Sequence, residues 1–299
     1  MNSHELKPSL LRKRILFGGL ILFLLAAVMT IGQIFDYGMK RGGSQFREGG
    51  YDRGGVPEWD DDNELPNDKF TFARIMYSNS SSGWGRGGRS WRTDFPDADL
   101  NFSFRLEQLT AIKTDKDGVT ISLTDPALFN YPFVFMSDPR SIELSGEEIK
   151  NLRTYLLNGG FLMVDDFWGD EMWNHFQSVM KEVFPDREYR QLTFEHEIFR
   201  AVFPLEKIPQ VPSHDAAERG RVGGYTYEDT INAHPSELNT PNFRAWFDDD
   251  DRMMIIACHN NDLADGWEEE AYKVWFFREF SEKYSYPMGI NILFYAMTH

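Results

Sequence analysis

The sequence predicts an α/β protein, an open, doubly wound, mostly parallel sheet preceded by one N-terminal hydrophobic helix. Three observations predict it. Residues 161–164 (FLMV) and 253–258 (MMIIAC) are short runs apolar on both faces, as in strands covered by helices on each side. Helix signals alternate with such runs, the clearest being the S-x-x-E capping box of Ser145 and Glu148 ahead of an apolar stripe. Residues 15–35 (ILFGGLILFLLAAVMTIGQIF) form a 21-residue stretch without a charge.

As a helix that stretch spans about 31 Å, close to the thickness of a bilayer core. Arg12, Lys13 and Arg14 precede it, as on a cytoplasmic flank, while Lys40, Arg41, Arg47 and Arg53 follow and blunt the asymmetry. Two readings stand. An uncleaved anchor is favoured by length; a cleaved signal peptide has its best site at Thr30-Ile31-Gly32. Residues 1–14 are then a cytoplasmic n-region, 15–35 the transmembrane anchor or signal segment, and 36–68 a flexible linker, Gly/Arg-rich and then acidic, with little to bury. Residues 69–299 form the α/β domain.

Within that domain, residues 70–77 (FTFARIMY) read as a strand, and Pro96 opens a helix with Ala98, Phe102, Leu106 and Leu109 on one face. Residues 119–123 and 132–136 (PFVFM) read as short strands. In the capped helix Ile149, Leu152 and Leu156 form the stripe, and Asn158-Gly159-Gly160 ends it. Pro287 opens a closing helix, MGINILFYAM, apolar nearly all round and therefore expected to be buried.

The net charge of −16 is uneven: residues 1–53 hold eight Lys/Arg against four Asp/Glu, which leaves 23 against 43 beyond them. So acidic a body repels phosphate backbones, and nucleic acid is excluded as its partner. The single cysteine, Cys258, rules out an intramolecular disulfide.

In an open parallel sheet, ligands bind beyond the carboxyl ends of the strands. Asp165 and Asp166 stand there after FLMV, followed by Trp168. They read either as ligand or metal carboxylates beside an aromatic platform or as a helix cap plus a solvated acid. Asp138 and Arg140 follow PFVFM at the same rim, where a Pro-containing turn explains them equally well. His259, Asn260 and Asp262 follow MMIIAC and read as polar ligand contacts, with Cys258 a buried structural residue rather than a nucleophile. His196, in FEHEIF, is a candidate base or ligand, set against a packed side chain. The acidic run 248–251 reads as a solvated turn and the Gly-rich loop 83–89 as a flexible loop. No H-E-x-x-H, paired C-x-x-C, calcium-loop or nucleotide-binding pattern is present, so the motifs imply no metal and no cofactor.

The segments FTFARIMY, WRTDFPDADLNFSFRLEQLT, LFNYPFVFMSDP, LSGEEIKNLRTYLLNGGFLMVDDFWG, HEIF, CHNNDLADGWEE and GINILFYAMTH together resemble a bacterial family, domain of unknown function forty-one fifty-nine, over residues 68–299. The resemblance implies membership of the class I glutamine amidotransferase-like superfamily, a flavodoxin-like three-layer sandwich, and export or membrane attachment. It does not imply amidotransferase activity, because GGFLMV runs into Asp165-Asp166 where that superfamily's nucleophile is expected. His196 matches the family's His-x-Ile-Phe segment, with Glu197 where proline is usual.

The expectation is an envelope ligand-binding or interaction module, single-pass in the cytoplasmic membrane through residues 15–35 with its domain on the periplasmic side, or free in the periplasm if the signal is cleaved. Its ligand is a small molecule or glycan, and envelope proteins are its expected protein partners. One rival is a hydrolase of an exported glycan-like substrate, with Asp165 or Asp166 and a histidine as acid and base; another is a structural subunit of a membrane complex.

Overall fold

A computed structural model describes residues 69–79, 90–270 and 272–299. The hydrophobic segment 15–35, the linker 36–68 and the Gly-rich loop 83–89 lie outside the described residues. The strands are β1 (Ala73–Met76), β2 (Ser78–Asn79), β3 (Val119–Ser122), β4 (Phe133–Ser137), β5 (Ile142–Glu143), β6 (Phe161–Phe167), β7 (Arg190–Gln191), β8 (Asn242–Phe247) and β9 (Met253–His259).

Seven of them form one sheet in the order β3-β1-β4-β6-β9-β8-β7. The first five run parallel, and β8 and β7 extend the β9 edge antiparallel. Counted along the chain, the parallel strands stand in the order 2-1-3-4-5, consistent with a flavodoxin-like fold. β2 and β5 pair as a separate antiparallel ribbon.

Period-two alternation builds a core on each face. Phe133 and Phe135 of β4 face one core with Phe102 and Leu106 of helix α1 (Asp97–Leu109); Val134 and Met136 face the other with Leu152 and Leu156 of α2 (Gly146–Leu157) and Phe176 and Met180 of α3 (Gly169–Val183). The connection from β7 to β8 contains α4 (His214–Gly223), and the chain closes with α5 (Tyr286–Thr298). The capping box is formed: Ser145 Oγ accepts from the Glu148 N–H at 3.3 Å, and Glu148 Oε2 accepts from the Ser145 N–H at 2.8 Å. Among the described residues no helix is long and apolar enough to cross a membrane.

Three expectations need correction. Leu109 is the last residue of α1 and is 44% exposed, whereas Leu106 on the turn before it is fully buried. α5 is not buried all round: Phe294 and Met297 are exposed on its outer side. β6 does not stop at Val164 but continues through Asp165 and Asp166 to Phe167, which pairs with His259 of β9.

Candidate functional site

The parallel strands deliver their carboxyl ends to one rim, and the acids that follow them converge there. β4 and β6 are in register, Ser137 beside Asp165, so Asp138 and Asp166 leave the sheet at the same level. The Asp138 N–H donates to the Asp165 carbonyl at 3.0 Å. Tyr77, just past β1, lies with its hydroxyl 2.6 Å from both the Ser137 and Asp138 carbonyl oxygens and shares its proton between them.

The β6–β9 register shifts between Val164 and Phe167, and Asp166 sits within that irregularity at φ 58°. A bulge of this kind re-aims a side chain. One carboxylate oxygen of Asp166 comes within 4.8 Å of oxygens of Asp94 and Asp262, and the three lie within 4.8 Å of one another. A second trio of the same dimension joins Asp94 to Asp265 and Glu268. The latter two stand three apart on the helical turn Asp265–Glu268, the spacing that puts side chains on one face. Asp94 and Asp138 also adopt left-handed backbone, at φ 61° and φ 52°.

The aspartates are buried and Glu268 is partly so, and ion pairs nearby are already made. Arg74, fully buried on β1, holds Asp99 with Nε 3.0 Å from each carboxylate oxygen, and its Nη1 donates to the carbonyls of Trp91 (3.1 Å) and Thr93 (2.8 Å). Arg140 is paired with Asp138. Asp165 Oδ2 accepts from the Ala264 N–H at 2.9 Å, and Asp262 Oδ1 from the Asp265 N–H at 2.9 Å. Among the described residues, the buried Asp94 Oδ2 and Asp165 Oδ1 accept no hydrogen bond, and the Ser137 hydroxyl beside Asp165 also has no partner.

Burial raises every one of these acids, and like charges add to it at Asp94, Asp166, Asp262 and Asp265. Burial and then Glu268 push Asp94 well above the usual carboxylate range; burial and then Asp138 do the same to Asp166, burial and then Asp166 to Asp262, and burial and then Asp94 to Asp265. Burial moves Asp165 to about 7 and Asp138 to about 6, the latter against the pull of Arg140. The arrangement can hold protons or hard cations through an all-oxygen donor set.

Of the residues marked by the sequence, Asp138, Arg140, Asp165, Asp166 and Asp262 are brought together. The others go elsewhere. Neither Asp165 nor Asp166 caps α3, whose N-cap is Trp168 without a side-chain cap bond. Trp168 is itself buried, so it offers no open stacking face. Asn260 is structural glue: its Nδ2 donates to the Glu237 (2.7 Å) and Thr240 (2.8 Å) carbonyls, and its Oδ1 accepts from the Gly169 N–H at 2.9 Å. His196 caps the short turn Glu197–Phe199 and packs against Tyr295. Tyr295 in turn packs on Phe161 where β6 begins, so His196 lies at the amino end of the sheet. Cys258 is buried, and burial pushes its thiol up, away from nucleophile chemistry.

His259 alternates to the face opposite Cys258 and has both ring nitrogens engaged. A guanidinium only donates, so the Arg244 Nη1 contact at 3.0 Å makes Nδ1 the acceptor, and Nε2–H donates to the Gly169 carbonyl at 3.0 Å. Burial, then the Arg244 charge, lowers its pKa to about 3. Between about 6.5 and 3 the unfolded chain therefore binds a proton that the folded ring refuses. The stability from this ring is complete above pH 6.5 and drains as pH falls. Urea unfolding of wild type and His259→Gln is expected to show the wild-type advantage shrinking by about 2–3 kcal/mol from pH 7.5 to 4.5. Parallel stability curves for the two proteins would refute it.

Asp94, Asp265 and Glu268 went unmarked in the sequence. Asp94 sits in TDFPDAD, which reads as the approach to a helix, and the acids of DLADGWEEE read as a charged surface. The faint signal was the i, i+3 spacing of Asp262, Asp265 and Glu268.

A family model described as Domain of unknown function (DUF4159) matches residues 71–297. The chain belongs to the DUF4159 family. No curated protein matches it. The DUF4159 match takes in every acid of the cluster, from Asp94 to Glu268, and stops short of the hydrophobic segment 15–35.

Proposed function

We propose that the domain is a cation-dependent ligand-binding module of a bacterial envelope, without amidotransferase activity, which engages an oxygen-rich small molecule or glycan through a hard divalent cation. The observation that carries this reading is the Asp94 carboxylate: about nine-tenths buried, with Oδ2 accepting no hydrogen bond, inside a group of like-charged acids. A buried carboxylate oxygen without a hydrogen bond is costly, and in folded proteins buried charges are paired or coordinate metals. The donors are all oxygen, which suits Mg²⁺, Mn²⁺ or Ca²⁺ over softer ions.

The strand order supports a flavodoxin-like three-layer sandwich, in which the carboxyl rim is the ligand-binding end. Residues 15–35 support a place at the outer face of the cytoplasmic membrane, anchored or after signal cleavage, with envelope proteins as further partners. The hydrolase reading required a histidine beside Asp165 or Asp166. His259 is committed to Arg244 and Gly169, and His196 stands at the other end of the sheet.

The test is thermal unfolding of the full-length chain in detergent, stripped with chelator and then given Mg²⁺, Mn²⁺ or Ca²⁺ at constant ionic strength. Binding at about 100 times Kd adds about 2.7 kcal/mol, a rise in Tm of roughly 5–10 °C for a domain of this size. No rise with any of the three ions, or an equal rise in Asp94→Asn, would overturn the proposal.

A further inference from the structure

Resting on that reading, we infer that the cluster takes two divalent cations, bridged by Asp94. The two trios of carboxylates share this residue and no other: Asp166 and Asp262 complete one, Asp265 and Glu268 the other. Each trio fits around a single ion. Oxygens on opposite sides of a cation stand at twice the metal–oxygen distance, about 4.2 Å for Mg²⁺ and about 4.6–5.2 Å for Ca²⁺. With every oxygen of a trio within 4.8 Å of the others, each trio is compact enough for the donors of one Ca²⁺-sized ion.

Charge leads to the same count. The two trios comprise Asp94, Asp166, Asp262, Asp265 and Glu268, five formal negative charges. Among the described residues, the arginines at hand are spent, Arg74 on Asp99 and Arg140 on Asp138. One divalent ion would leave three of the five uncompensated in a buried setting; two ions leave one. Asp94 is fitted to bridge, because its buried Oδ2 accepts no hydrogen bond and lies on the residue common to both trios. Carboxylate-bridged ions stand about 3.5–4 Å apart in two-metal sites.

Each position has a backbone support of its own, and the Asp262 Oδ1 bond to the Asp265 N–H, which asparagine at 262 can keep, joins the two. Asp262 is fixed through its N–H to the Val211 carbonyl (2.8 Å), and Asp265 through Oδ2, which accepts from the His214 N–H at 2.6 Å. A substitution in one trio can therefore empty one position and spare the other.

The experiment uses the full-length chain in detergent, stripped with chelator and equilibrated with Mn²⁺ alone. Bound metal is counted by equilibrium dialysis, and the loaded protein is examined by electron paramagnetic resonance. The expected result is two Mn²⁺ per chain with a spin-coupled spectrum, one uncoupled Mn²⁺ in Asp262→Asn and in Glu268→Gln, and tenfold or greater weakening of both positions in Asp94→Asn. A wild-type count of one with an uncoupled spectrum overturns the pair and leaves the cation-dependent reading standing. A count of zero overturns both. Two ions retained in Asp262→Asn and in Glu268→Gln would overturn the assignment of trios.

Discussion

Replacing Arg74 with methionine is expected to lower the unfolding free energy by about 3–5 kcal/mol, the range for a buried ion pair broken on one side. Asp99 would stay buried without its partner, and the Trp91 and Thr93 carbonyls would lose their donor. Part of the effect is shape: the guanidinium lies over Phe135, 4.9 Å from the ring centroid, and methionine fills that space with a softer side chain. The change reaches the site through the chain, because residues 91–93 lead directly into Asp94. Urea titration should give a much lower midpoint, and divalent cations should stabilise the variant less than wild type. Arg74→Lys keeps the charge but loses the fork geometry, so it should fall between the two. A midpoint within about 1 kcal/mol of wild type for Arg74→Met would show that Asp99 can find other partners.

The second large effect has the opposite sign in the two states of the protein. Asp166→Asn is expected to stabilise the cation-free protein by about 1–2 kcal/mol, as relief of a strained site does elsewhere, and to remove most of the stabilisation by divalent ions. Asparagine tolerates the left-handed backbone that position 166 requires, so the substitution removes charge with little change of shape. Burial, Asp138, Asp94 and Asp165 all oppose the charge of Asp166, and Arg140 relieves it. Thermal curves should cross: the variant melts higher in chelator, wild type higher in Mn²⁺. If Asp166→Asn melts lower in both, Asp166 is a structural acid and the site must be redrawn without it.

How much of this was legible in the sequence depends on whether the information was local. The strands around FLMV and MMIIAC and the Ser145–Glu148 cap could be read, because apolar runs and capping spacing act over a few residues. The amphipathic stripe of α1 was read correctly through Leu106 and overshot at Leu109, since the periodicity of a helix does not say where its neighbours end. Asp165 and Asp166 were found because a rule about parallel sheets points to strand ends. Their environment was not, because the bulge that sets Asp166 arises from how β6 meets β9. Asp94, Asp265 and Glu268 escaped for a related reason. Asp94 belongs to one local story in the sequence and Asp265 and Glu268 to another, and only the sheet order brings them together. His259 shows the converse: a polar residue at a strand end that faces a helix rather than a ligand, held by an arginine no spacing rule links to it.

The scattering of the acids along the chain gives the site a place in the order of assembly. Asp94 comes early in the domain, Asp166 midway, and Asp262, Asp265 and Glu268 late. A nascent chain holds no complete trio until β9 has docked beside β6, which is among the long-range, late-rewarded contacts of such a topology. Cation uptake then acts as a latch on the last step. It favours only the finished sheet, and a chain truncated ahead of β9 gains nothing from the ion and stays open to proteolysis.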